Sequence, residues 1–198
     1  MPESPATRPR TAEGAEIGAL IGGAFGLLFL IINSSSFSSL GRTLVMATGI
    51  IAFGTIAVVA VRSLLRLRAE HRQTMSAEDR EPGRRREPPF GRAYWIIVLI
   101  EAIALFAGAR VLSSLGHPEL GVAWVAFVVG THFYALGYVF KLNRFHVLAT
   151  VVTLCGIAGF IAFFASIPAF IPIFSGVISG FVLLAFGLWA LVPVEQKS

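Results

Sequence analysis

Residues 94–141 read YWIIVLIEAIALFAGARVLSSLGHPELGVAWVAFVVGTHFYALGYVFK, two apolar runs divided by Gly116-His117-Pro118. At 1.5 Å per residue, each run reaches across a hydrocarbon core about 30 Å thick. The stretch therefore predicts two antiparallel membrane-spanning helices, over about 93–115 and 119–141. It also gathers ionisable residues far from any polar flank: Glu101 and Arg110 in the first helix and His132 in the second.

The rest of the chain repeats the pattern. Of 198 residues, 56% are hydrophobic and only 14% charged, against about a quarter charged in a soluble domain. Mean hydropathy is +0.78. Further apolar runs cover about 15–33, 41–64, 145–166 and 170–192. The expected fold is all-α: a polytopic membrane protein with six transmembrane helices in one bundle. A polar tail, 1–14, precedes the first span, a basic loop, 65–92, separates the second from the third, and a short tail, 193–198, ends the chain. No small-residue cleavage site follows the first apolar run, so it reads as a retained span.

Charge placement orients the bundle. Cytoplasmic flanks of membrane proteins collect Lys and Arg. With both termini cytoplasmic, that side receives Arg8 and Arg10, nine arginines within 62–92, Lys141, Arg144 and Lys197. These are 14 of the 16 basic residues; only Arg42 and Arg110 fall on the outer half. The expected location is a plasma (inner) membrane, crossed six times. The net charge of +5 is thereby explained without nucleic acid, because the basic residues sit at span ends. Arg84, Arg85 and Arg86 can attract anionic lipid at about 1 kcal/mol per charge. The plainer reading is that they only set orientation, since five acids are interleaved in the same loop.

Small residues mark packing faces. Gly14, Gly18, Gly22 and Gly26 recur every four residues, and Gly176 and Gly180 repeat the spacing in the sixth span. Such spacing lets a second backbone approach closely, either a neighbouring helix of the same chain or a second copy. The bilayer is the expected partner; a membrane-protein partner or homo-oligomer fits the same faces. Two Ser-Ser-Leu-Gly strings, 38–41 and 113–116, both fall at turns and are too short to establish a repeat.

One candidate site emerges from depth. Glu101 lies about 12 Å inside the inner boundary, and His132 about 18 Å from the outer one. In a core about 30 Å thick the two stand level on adjacent antiparallel helices. Glu101 and Arg110, nine residues apart, leave opposite faces of their helix. Arg110 sits level with Trp124, near the outer interface, where it can snorkel to water. Tyr134 and Tyr138 could add hydroxyls to the Glu101–His132 site. That site reads either as a proton relay or cation site, or as a structural polar clamp between helices.

Chemistry-bearing motifs are otherwise lacking. There is no His-Glu-x-x-His, Gly-x-Ser-x-Gly, phosphate loop or Cys-rich metal pattern. The single Cys155 lies in an apolar run and reads as a small packed hydrophobe. His117, His132 and His146 fall at three different depths, which argues against a bis-histidine haem. No cofactor or metal is expected. The leading expectation is a non-enzymatic accessory, assembly or interaction protein; the alternative is a small transporter or proton-coupled channel using Glu101 and His132.

Overall fold

The computed structural model describes residues 15–78, 91–140 and 143–192, with the side chains of 70–78, 93 and 140 left aside. The two tails, Gly14 and the Arg84–Arg86 run lie outside the described residues. Among those described there is no strand. The chain forms α1 (Ala15–Asn33), α2 (Ser39–Glu78), α3 (Arg92–Ser114), α4 (Gly121–Phe140), α5 (Asn143–Phe164) and α6 (Ser179–Ala190). A π-helical segment, Pro172–Ile178, leads into α6. Among the described residues, six helical stretches are long and apolar enough to cross a membrane.

α2 is the long exception. Its 40 residues are about twice what a crossing needs, and its apolar part ends near Ala69. The helix continues because Leu64, Leu65 and Leu67, with the arginines around them, are good helix formers. At the other end of the helix, the Ser38 hydroxyl accepts from the Gly41 amide at 3.2 Å and occupies one free donor of the first turn.

Three tight connections, 34–38, 115–117 and 165–167, gather at one end of the bundle, here the hairpin end. The second and third are the same turn built twice, fifty residues apart. In the second, the Leu115, Gly116 and His117 amides bond to the Val111, Ser113 and Leu112 carbonyls; Ala165, Ser166 and Ile167 bond to Ile161, Phe163 and Ala162 in the third. Gly116 has φ 82° and Ser166 φ 60°. A proline then opens a 3₁₀ turn in each, Pro118–Leu120 and Pro168–Phe170. This left-handed closure satisfies the orphan carbonyls of α3 and α5. The α3–α4 and α5–α6 turns are thus structural repeats of each other. The Ser-Ser-Leu-Gly strings missed this, because only Pro118 and Pro168 coincide between the two turns and the likeness lies in the backbone.

The packing order is α3, α4, α5, α6, α1, α2, with the π segment wedged between α5, α1 and α4. Three buried clusters follow it. Leu30, Ile56 and Leu184 join α1, α2 and α6. Phe29, Val129, Val152 and Leu183 join α1, α4, α5 and α6 at the centre. Leu120, Ala123, Ala162 and Ile171 close the hairpin end. Across from the hairpin end, the Arg144 guanidinium sits 4.8 Å over the Trp189 ring and donates to the Trp189 carbonyl, tying α5 to the end of α6.

Close approach occurs where Gly26 meets Gly180: a Cβ on Gly26 would stand 2.8 Å from the Gly180 carbonyl oxygen. Gly176 likewise takes Asn33 against its backbone. Gly18 and Gly22 differ, for a Cβ on either would meet nothing within 4 Å. The buried stripe of α1 is Ala19, Gly23, Gly26 and Leu30 instead. The reason is angular. Each four-residue step overshoots a full turn by about 40°, so Gly18 and Gly26 diverge by about 80°. Steps alternating between three and four residues hold a constant face.

Candidate functional site

α3 and α4 run antiparallel from the 115–117 turn, which brings residues equally distant from it to one level. Gly108 and Trp124, each eight residues from Gly116, are such a pair, and the indole reaches one turn further along α3. The Trp124 indole N–H donates to the Ala104 carbonyl at 3.0 Å. Gly108 makes this possible, because any Cβ there would run into the indole. Trp124 thus clamps α3 to α4 rather than serving Arg110, which stands exposed on α3.

Further from the turn, Glu101 and His132 meet. The imidazole Nδ1 lies 3.2 Å from the Glu101 Oε2, with side-chain exposures of 9% for His132 and 18% for Glu101. Nδ1 is fully covered and has no aligned hydrogen-bond partner, so the contact is one of proximity rather than a straight N–H···O bond. The pair can share one proton in two ways, as carboxylate with imidazolium or as carboxylic acid with imidazole. Both arrangements are neutral overall.

The tyrosines do not join them. The Tyr134 hydroxyl lies 2.7 Å from the Thr150 Oγ1 on α5, and its ring lies 6.0 Å from that of His146. Tyr138 is 83% exposed. Two residues along a helix turn a side chain by about 200° and six by about 240°, so both tyrosines leave α4 on the side away from His132. Their mutual i, i+4 spacing places them together, but not with the histidine.

Two polar features were not foreseen from sequence. Glu16, in the first turn of α1, is only 2% exposed and accepts a hydrogen bond from the Ser63 hydroxyl of α2 at 2.8 Å. Its signal was its position just inside an apolar run, which reads equally well as a solvated helix start. The second is the polar interior around the π segment. Ser175 and Ser179 are wholly buried, Ser175 donating to the Cys155 carbonyl at 2.8 Å, and the buried Asn33 amide donates to the Phe29 carbonyl at 2.8 Å. π-helical turns are rare and carry no compositional signature that a sequence reading can use. Among the described residues, no three His, Cys, Asp or Glu side chains cluster as metal ligands.

Glu101 also borders open space. α3 packs along α4 and makes little contact with other helices, and the 18-residue apolar window of α3 has no buried residue. A crevice of about 510 Å³ separates α3 from α1, with α4 as its floor. Phe25, Leu28 and Ile32 form one wall and Val98, Ala102 and Leu105 the other. Glu101 lies on it toward one end and Asn33 at the hairpin end.

Comparison with protein-family models, with curated proteins and with solved structures yields no match for this chain. The functional reading therefore rests on the geometry above.

Proposed function

We propose that this chain is a plasma (inner) membrane protein, crossing six times with both termini in the cytoplasm, that works by interaction within the bilayer rather than by catalysis. The distribution of 14 of 16 basic residues supports the orientation. The observation that carries the functional reading is the setting of Glu101. Its helix is held on one side only, and the crevice beside it is walled by apolar side chains. Whatever meets this carboxyl group arrives sideways, through lipid. That suits an accessory, assembly or interaction protein better than a pore, which needs polar lining along its length.

Proton-coupled transport is the second reading, favoured by the 3.2 Å approach of His132 to Glu101. One experiment separates the two. Purified protein in proteoliposomes is given a pH gradient and followed with an entrapped pH dye. The interaction reading expects no protein-dependent proton flux. A flux that Glu101→Gln abolishes in a folded protein would overturn it in favour of transport. Orientation has its own check: in sealed inside-out vesicles, Ser36→Cys should resist a membrane-impermeant maleimide and react only after permeabilisation.

A further inference from the structure

Volume, polarity and charge state limit what the α1–α3 crevice can hold. A transmembrane helix about 10 Å across and 30 Å long fills roughly 2,400 Å³, several times the 510 Å³ present. The crevice instead falls within the range of about 300–1,000 Å³ typical of small-molecule sites. From Phe25 to Asn33 on α1, and from Gly121 to Val129 on α4, it extends about 12 Å along the bundle. Its lining is apolar except for Glu101 and Asn33, so a hydrophilic solute would lose its hydration without replacement.

The polar end is Glu101, which lines the crevice, whereas the His132 Nδ1 beside it is fully covered. His132, nine-tenths buried directly behind Glu101, has an Nδ1 without an aligned partner. With one proton shared between them the carboxyl and imidazole carry no net charge, and Glu101 then presents a hydrogen-bonding group rather than a counter-ion to the crevice. A neutral hydroxyl or carbonyl is the complementary group.

We propose that the crevice between α1 and α3 binds a neutral lipid-soluble molecule, with a hydroxyl or carbonyl head on Glu101 and its apolar chain lying toward Asn33. This inference rests on the reading of the chain as a membrane protein approached through lipid. It specifies the chemical class of one intramembrane partner.

The test uses the full chain in nanodiscs and a diazirine-bearing hexadecanol as the probe, with crosslinks mapped by mass spectrometry. Saturable labelling is expected at Leu28 and Leu105 and should fall at least tenfold with excess unlabelled hexadecanol. Ala102→Phe, which fills the crevice and leaves both Glu101 and His132 in place, should reduce labelling tenfold. Glu101→Leu should do the same while keeping the apolar volume. The proposal is overturned if labelling is unsaturable and equal on the outward Ile103 and Phe106, or if Ala102→Phe leaves it unchanged. Equal saturable labelling by a diazirine phosphatidylcholine would overturn it too, because that head is zwitterionic and bulky. Maleimide sidedness at Ser36→Cys, measured separately, reports on membrane orientation, so failure there is distinguishable from failure of ligand binding.

Discussion

His132 and Glu101 approach to 3.2 Å across the α3–α4 interface, on helices joined by the three-residue turn at 115–117. α3 rests mainly on α4, where this pair acts beside the Trp124–Ala104 hydrogen bond. Polar contacts between helices in a bilayer average about 0.6 kcal/mol and reach about 1.7. A double-mutant cycle of Glu101→Ala and His132→Ala, read by thermal unfolding in detergent, should give a coupling in that range. A coupling of zero would mean that the two residues are merely neighbours.

The crossing of α1 and α6 depends on absent side chains. Gly26→Ala would put a methyl 2.8 Å from the Gly180 carbonyl, and overpacking of this kind costs about 1–3 kcal/mol. Gly22→Ala, with open space around it, should leave stability unchanged or raise it slightly through helix propensity. Thermal melts of the two variants side by side check this. Equal effects would show that the faces have been misassigned.

Trp124 should hold α3 more firmly than its partial exposure suggests. Trp124→Phe removes the donor to Ala104 and should cost about 1 kcal/mol. Gly108→Ala should cost more, because the new methyl displaces the whole indole from its seat. Hydrogen exchange resolved by helix should show faster exchange in α3 than in α5 for both variants. Uniform acceleration across the bundle would count against a local clamp.

The repeated turn offers a paired test. Ser166 and Gly116 occupy the same left-handed position, but only glycine does so without steric cost. Ser166→Gly should stabilise the protein by about 0.5 kcal/mol and Gly116→Ala destabilise it by about 1 kcal/mol. For a chain of this size these are shifts of about 1–4 °C in Tm, of opposite sign. Changes of like sign would show that the two turns are not equivalent.

Much of this protein was legible in its sequence. Six apolar stretches of sufficient length read as helices, because a backbone without water to bond must satisfy itself, and six helices long and apolar enough to cross a membrane stand among the described residues. The level placement of Glu101 and His132 was also readable, since rise per residue and a short hairpin turn fix depth by arithmetic. Direction around the helix was harder. The rotation per residue that sends Tyr134 and Tyr138 away from His132, and separates Gly18 and Gly22 from Gly26, accumulates with distance. It becomes interpretable only once a neighbouring helix defines which side is inward.

What the sequence by itself determined is therefore one-dimensional: which stretches are helical, where they turn, and how far along its helix each residue lies from the turn. Tertiary structure alone decided which helices touch. That α3 rests on α4 and stands apart from α1, opening a crevice beside Glu101, depends on how six similarly apolar cylinders share their surfaces. Apolar composition is nearly the same on all of them, so hydrophobicity cannot choose among pairings. The choice falls to local shape: a glycine that admits a backbone or an indole, a π turn that rearranges buried serines, and one carboxyl group that reaches an imidazole.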